Sequence, residues 1–152
     1  QLNVALAKLD GLSVSNPGIR ISMFGYTEWL MYTKVYLNYF YKYDAYIPTT
    51  FYYNALSEET EAFETSYRRW FHTDMQTALP RFAITGYDQA RFFIGGEHEH
   101  GKKFRGTKGQ STYRPLQTPL KFEYASPNGG MRNNAFMLIH YLSSRRIESI
   151  SY

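Results

Sequence analysis

The stretch at residues 81–96, RFAITGYDQARFFIGG, changes hydrophobic period part-way along, and that change limits which folds are open to the chain. Residues 82–85 form a short apolar run that suits a buried strand, Gly86 supplies a turn, and residues 87–94 return to helical spacing. The segment is therefore predicted as strand, turn, helix. Asp88 falls in the first turn of that helix, where a carboxylate suits the unpaired N–H groups and the positive end of the dipole, and Gly95 and Gly96 close the far end. Such a junction places a loop at the carboxyl end of a strand, where ligands gather in open α/β sheets. A plain packing junction is the other reading.

The elements on either side extend the same alternation. Leu2, Leu6, Leu9 and Leu12 repeat at helical spacing over the first dozen residues, and Asn16, Pro17 and Gly18 then force a turn. Residues 19–24 (IRISMF) read as a strand ending at Gly25, and residues 27–43 as a largely buried helix or two short ones. Residues 45–53 (AYIPTTFYY) are β-branched and aromatic, which predicts a strand. Ser57 is placed as a helix N-cap. Glu58, Glu59 and Glu61 follow it and Arg68 and Arg69 come late, an order of charge that complements the helix dipole. Phe63, Tyr67, Trp70 and Phe71 share one side of that helix and read as core packing. Residues 97–118 turn to Gly, Lys, Arg, Ser and Thr and predict a long exposed connection. Strands follow at 116–124, 134–142 and 147–152, an antiparallel meander. The whole order predicts an α/β fold, a mostly parallel sheet flanked by helices with a C-terminal antiparallel β segment.

With 152 residues, 43% of them hydrophobic, the chain is sized for a single α/β domain over 1–152. The 17 basic residues are interspersed with 13 acidic ones, so the net charge of +4 is no nucleic-acid footprint. No cysteine is present, which excludes disulfides and thiol chemistry and leaves the redox compartment open. No apolar run approaches the roughly 20 residues of a membrane span. The chain begins at Gln1 and is expected to be a piece of a longer protein.

Candidates for chemistry are few. His98 and His100 alternate with Glu97 and Glu99, but two His complete no metal site and a solvated charged segment accounts for them better. His72 reads as a cation at a helix C-terminus, and His140 lies inside a predicted strand. No nucleophile elbow, phosphate-binding loop or dinucleotide fingerprint occurs, so the chain is expected to be no enzyme and to need no cofactor. More informative are three loops that a parallel sheet would gather at one edge: Gly25-Tyr26-Thr27-Glu28-Trp29, Tyr52-Tyr53-Asn54 and Gly86-Tyr87-Asp88. Their aromatic faces suit a ligand cleft, and equally a buried contact with a neighbouring domain.

Several of these motifs together resemble a known family. Residues 21–25 before an aromatic loop, Phe63, Tyr67 and Trp70 before Pro80, Gly86-Tyr87-Asp88 followed by Ala90, Lys121-Phe122-Glu123-Tyr124, and Asn128-Gly129-Gly130 before the strand at 135–141 occur in the order found in the carboxyl-terminal half of type I periplasmic binding proteins. The resemblance covers nearly the whole chain and is to receptors related to branched-chain amino-acid-binding proteins. The wording of the aromatic stretches is similar to a Bacteroides-type branch in which the module accompanies a LysM peptidoglycan-binding domain. It implies a periplasmic or cell-envelope location and a solute-binding lobe that closes on a small-molecule ligand or peptidoglycan fragment. It also implies a cleft built from Tyr26, Thr27, Trp29, Tyr53 and Tyr87, and a homodimer through the exposed lobe surface. Amino-acid-binding members carry an acidic anchor near the end of the second strand. Here the region reads Phe51-Tyr52-Tyr53-Asn54, which speaks against amino-acid binding and leaves a more apolar, sugar-like or peptide-like ligand, or none. The alternative is a structural or interaction domain with a degenerate cleft that positions a peptidoglycan-binding partner.

Overall fold

The computed structural model describes every residue from Gln1 to Tyr152. The chain divides into two compact units, the first formed by Gln1–Thr49 with Leu138–Ile150, the second by Thr50–Met137 with Ser151–Tyr152. No helix is long and apolar enough to cross a membrane.

In the first unit, helix α1 (Leu2–Ser15) runs on past Gly11 and buries only Leu6. A 3-10 segment (Thr27–Tyr32) leads into α2 (Thr33–Lys42), so the dense aromatic run forms two short helical pieces. Strand β1 (Ala45–Thr49) follows and alternates buried and half-buried residues. It belongs to a three-stranded antiparallel sheet of order β1, β4 (Met137–Tyr141), β5 (Ile147–Ser151). The core is aromatic: Phe40 and Tyr141 are fully buried with centroids 5.2 Å apart, and Phe40 stacks on Trp29 at 6.2 Å. Gly25 is required here, because a Cβ at this position would collide with the Trp29 indole.

The second unit is built on α3 (Glu58–Phe71) and α4 (Phe82–His100) with a small antiparallel hairpin, β2 (Phe122–Tyr124) and β3 (Met131–Asn133). Helix α3 begins where its local chemistry dictates: the Ser57 hydroxyl oxygen accepts from the Thr60 N–H at 3.1 Å, three glutamates crowd the first turn, and His72 ends the helix with φ of 54°.

The expected parallel sheet is not present. The fold has four α-helices and two small antiparallel sheets, and its single parallel pairing is an isolated bridge between Phe24 and Tyr46. Two segments account for the difference. Residues 19–24 contribute only that bridge, and residues 82–85, expected as a strand, are the first turn of α4. The buried residues of α4 are Ile84, Asp88, Phe92 and Gly96, an unbroken spacing of four that only a helix can turn to one side. The apolar run at 82–85 is one end of that stripe. Gly86 is therefore a helix-interior residue with open space beside it, and Asp88 lies well inside the helix instead of capping it.

The polar connection after α4 is also more ordered than its composition implies. Residues 97–100 continue the helix, and the Phe104 ring fills the notch left by Gly96, where any Cβ would collide with it. Further on, the buried Asp88 carboxyl accepts four hydrogen bonds: from the Tyr113 hydroxyl (2.7 Å) and the Leu116 N–H (2.8 Å) at Oδ1, and from the Gln117 (2.9 Å) and Thr118 (2.7 Å) N–H groups at Oδ2. The Gln117 side chain in turn bonds both the N–H (2.8 Å) and the carbonyl (3.1 Å) of Arg81. Residues 104–118 thus form a strap along α4, held by the Phe104 ring at one end and by polar contacts to Asp88 at the other.

Candidate functional site

A concave surface lies along α3 in the second unit, a groove of about 630 Å³. Phe63, Tyr67, Trp70 and Phe71 form one wall, Tyr87 of α4 and Tyr113 of the strap line it further, and Glu59, Ser66 and Arg114 supply its polar groups. The rings support one another: Phe63 sits 4.7 Å from Tyr87 and Tyr67 4.6 Å from Phe71, centroid to centroid. Yet Trp70 is 78% exposed and Phe71 63% exposed, so the stripe expected to pack the core instead presents its carboxyl-terminal half to solvent. The strap side of the groove is fixed by Asp88. Burial and the hydrogen bond to Asp88 push the Tyr113 hydroxyl far above the ordinary tyrosine range, leaving it a neutral donor pinned in one orientation. The site is a row of preset rings with a cation and a carboxylate among its lining residues, suited to holding the apolar face of a ligand by contact with ring faces.

The five residues expected to form a cleft take different places. Tyr26, Thr27 and Trp29 come together at the start of the 3-10 segment: Tyr26 meets Trp29 edge-on at 6.1 Å, and the Thr27 hydroxyl donates to the Pro48 carbonyl at 2.8 Å. Trp29 lies against Phe40, while Tyr26 is exposed. Tyr53 and Tyr87 belong to the second unit. The Tyr53 hydroxyl donates to Glu64 while the Arg81 guanidinium lies 4.8 Å above its ring, and Tyr87 alone of the five lines the α3 groove. Sequence reasoning saw the α3 stripe and gave it to the core, because a period says which residues share a side and not whether that side is covered. Tyr113 and Arg114 gave no signal at all, being two residues in a polar connection.

No protein-family model, curated protein or solved structure matches the chain.

In the first unit, Ser22, Asp44 and His140 bring together the residue types of a hydrolytic triad. The Ser22 hydroxyl donates to Asp44 Oδ2 at 2.9 Å and His140 Nε2 lies 2.7 Å from Asp44 Oδ1. Both side chains bond the carboxylate, so the contact that would carry the serine proton to the imidazole is not made, and the order of groups differs from that of a triad. The cluster acts as a clasp between β4, the residue before β1 and the segment beside it, with the Tyr46 ring stacked on His140 at 3.9 Å. His140 is thus a strand residue with a named partner. No group of three or more His, Asp or Glu side chains is placed to hold a metal ion, and His98 and His100 end α4.

The clasp carries a pH prediction. The hydrogen bond with His140, helped by the one from Ser22, holds the Asp44 carboxyl below the usual carboxylate range against the burial that raises it. A carboxylate lowered in the folded state contributes stability above its unfolded value of about 3.9, and that contribution is lost as pH falls through the folded value. Urea unfolding between pH 6 and pH 3, each value chosen to bracket that roughly 3.9 midpoint, should show stability falling more steeply for the native chain than for Asp44→Asn below about pH 4. Equal slopes would show that the clasp adds nothing.

Proposed function

We propose that the chain is a non-catalytic ligand-binding module of a bacterial envelope protein, and that the groove along α3 holds the ligand. The observation that carries this reading is Trp70: a tryptophan 78% exposed on a regular helix, continuous with rings that are already packed, is apolar surface with no partner within the chain. The rings of the groove and its Arg114 and Glu59 favour a small ligand with one apolar face and a polar periphery, of the sugar-like or peptide-like class. The envelope setting rests on the sequence resemblance alone.

The two tryptophans make the test direct. In a Trp29→Phe background, Trp70 is the sole indole, and its fluorescence reports the groove. Titration of the full chain with panels of sugars, short peptides and muropeptide fragments should produce a saturable change with at least one class. Trp70→Ala, with calorimetry as readout, should weaken binding about tenfold or more while far-UV circular dichroism stays the same. Absence of a saturable response across all three panels, or binding that Trp70→Ala leaves intact, would remove the groove from consideration.

A second reading is favoured by the first unit, where Phe24, Tyr26, Met31 and Val35, in and just before the 3-10 segment and α2, are each exposed. These side chains suit an interaction domain that positions a neighbour. Pull-down of envelope proteins by the native chain, lost on Met31→Ser with Val35→Ser and unchanged by Trp70→Ala, separates this reading from the first.

A further inference from the structure

The strap side of the α3 groove holds a cation whose hydrogen-bonding capacity is unspent. Arg114 lines the groove, is exposed and bonds nothing in the chain. Other arginines of the second unit are committed. Arg68 pairs with Asp74 at 3.4 Å, Arg81 donates to the Gln76 carbonyl at 3.2 Å and covers the Tyr53 ring, and Arg105 donates to the Lys102 and Phe104 carbonyls. The backbone that carries Arg114 is fastened on both sides. Tyr113 is held through its hydroxyl on Asp88 (2.7 Å) and its N–H on Ser111 Oγ (3.2 Å), and the Leu116 N–H donates to Asp88 at 2.8 Å. Pro115, between them, restricts Arg114 to an extended backbone. The root of the side chain is therefore preset, and only its tip remains to be ordered by a ligand. The Asp88 oxygens are already taken by four donors, and Arg91 lies over the Tyr113 ring at 5.9 Å, so a second positive charge stands on the same side.

We propose that the groove takes the carboxyl-terminal end of a short peptide, with the terminal carboxylate on Arg114 and an apolar terminal side chain against the α3 rings. The proposal rests on the groove reading above and names its ligand more closely. A guanidinium offers paired N–H groups that match the two oxygens of a carboxylate, and capture of a free carboxyl end is a recurring way to recognise peptides. The ring geometry favours a peptide over a saccharide. Neighbouring rings in the row from Phe63 to Phe71 and the Phe63–Tyr87 pair meet at 39° to 51°, which makes an edged trough with no shared plane on which successive sugar rings could lie. Polar groups are also few, and the Tyr113 hydroxyl is committed to Asp88, so a sugar would lose water from hydroxyls that the groove cannot pair. One apolar side chain and one carboxylate ask for much less. Glu59, the carboxylate of the lining, repels a second acidic group and so disfavours a polyanion.

Calorimetry of the full chain with tripeptides Gly-Gly-Phe, Gly-Gly-Leu and Gly-Gly-Ala, each as free acid and as carboxamide, tests the assignment near neutral pH. The free acids ending in Phe or Leu should bind at least about tenfold more tightly than their carboxamides, and than the peptide ending in Ala. Arg114→Gln should erase the preference for the acid and leave carboxamide binding within about twofold, while Arg114→Lys recovers part of the preference. Lys108→Gln removes an exposed strap cation outside the groove and should change nothing, which separates a local anchor from the general attraction of a basic chain. Equal binding of acid and carboxamide overturns the proposal, as does a preference that Arg114→Gln leaves intact or that Lys108→Gln erases equally. Peptide binding of both forms that Trp70→Ala weakens alike, with no preference for the acid, overturns the carboxylate anchor and keeps the groove. Saccharide binding that depends on Trp70, with no peptide bound, likewise overturns the proposal and keeps the groove. No binding from either class removes both.

Discussion

Asp88→Ala should lower the unfolding free energy of the chain by about 3–5 kcal/mol, since it leaves several buried donors without an acceptor at about 1–3 kcal/mol each, partly relieved by relaxation. The carboxyl is fully buried and accepts from Tyr113, Leu116, Gln117 and Thr118. Alanine leaves three backbone N–H groups and a hydroxyl without an acceptor, and none of them can turn to water without lifting the strap. Asp88→Asn keeps the shape but presents an amide NH₂ to N–H groups that need an acceptor, so it should cost an intermediate amount, about 2 kcal/mol. Urea unfolding gives the magnitude, and amide exchange at 116–118 gives the cause: those strap amides should lose protection before the amides of α4. A loss below about 1 kcal/mol for the alanine variant would mean that the strap is held by something other than Asp88.

The second large effect belongs to the first unit. Phe40 is fully buried between the Trp29 and Tyr141 rings, and Phe40→Ala should cost about 3–5 kcal/mol through lost contact area and the cavity left between two rings that cannot both move inward. Phe40→Leu, which refills most of the volume, should recover more than half of that loss. If leucine and alanine cost the same, the ring geometry and not the volume is what the core requires. Near-ultraviolet circular dichroism, sensitive to the Trp29 surroundings, reports the same rearrangement independently.

Helix α3 was readable from its own residues because its instructions are local: Ser57 as cap, glutamates in the first turn, arginines in the last. Helix α4 was not, for a reason carried by one residue. Asp88 interrupts the buried stripe with a carboxyl, so the apolar residues before it looked like a separate strand and Asp88 looked like the start of a helix. The partners that make a buried carboxyl tolerable lie at 113–118, and no local pattern announces them. The parallel sheet failed with that misreading, since residues 82–85 were to supply one of its strands. As for the candidate site, the stripe from Phe63 to Phe71 was visible, but its direction was not: burial is settled by what covers a helix, and here Trp70 is left open. His140 shows the same limit at the scale of one contact, because its partner Asp44 is 96 positions away in the chain.

The strap along α4 is fastened by Phe104 in the notch of Gly96, by the Gly106 carbonyl accepting from the Phe122 N–H, and by residues 113–118 on Asp88. Between Gly106 and residue 113 the chain turns at Lys108 and Gly109, both exposed, where Gly109 has φ of 86° and open space around it. A backbone opened at that turn, by a protease or by the insertion of foreign sequence, leaves Phe104 and Gly106 on one side of the break and residues 113–118 on the other, with the Gln110 side-chain bonds to Lys103, Arg105 and Thr107 spanning it. The turn is therefore the natural port of the molecule for engineering, a place where a tag, a fluorophore or a second domain can be grafted while the groove wall that Tyr113 helps to form stays pinned.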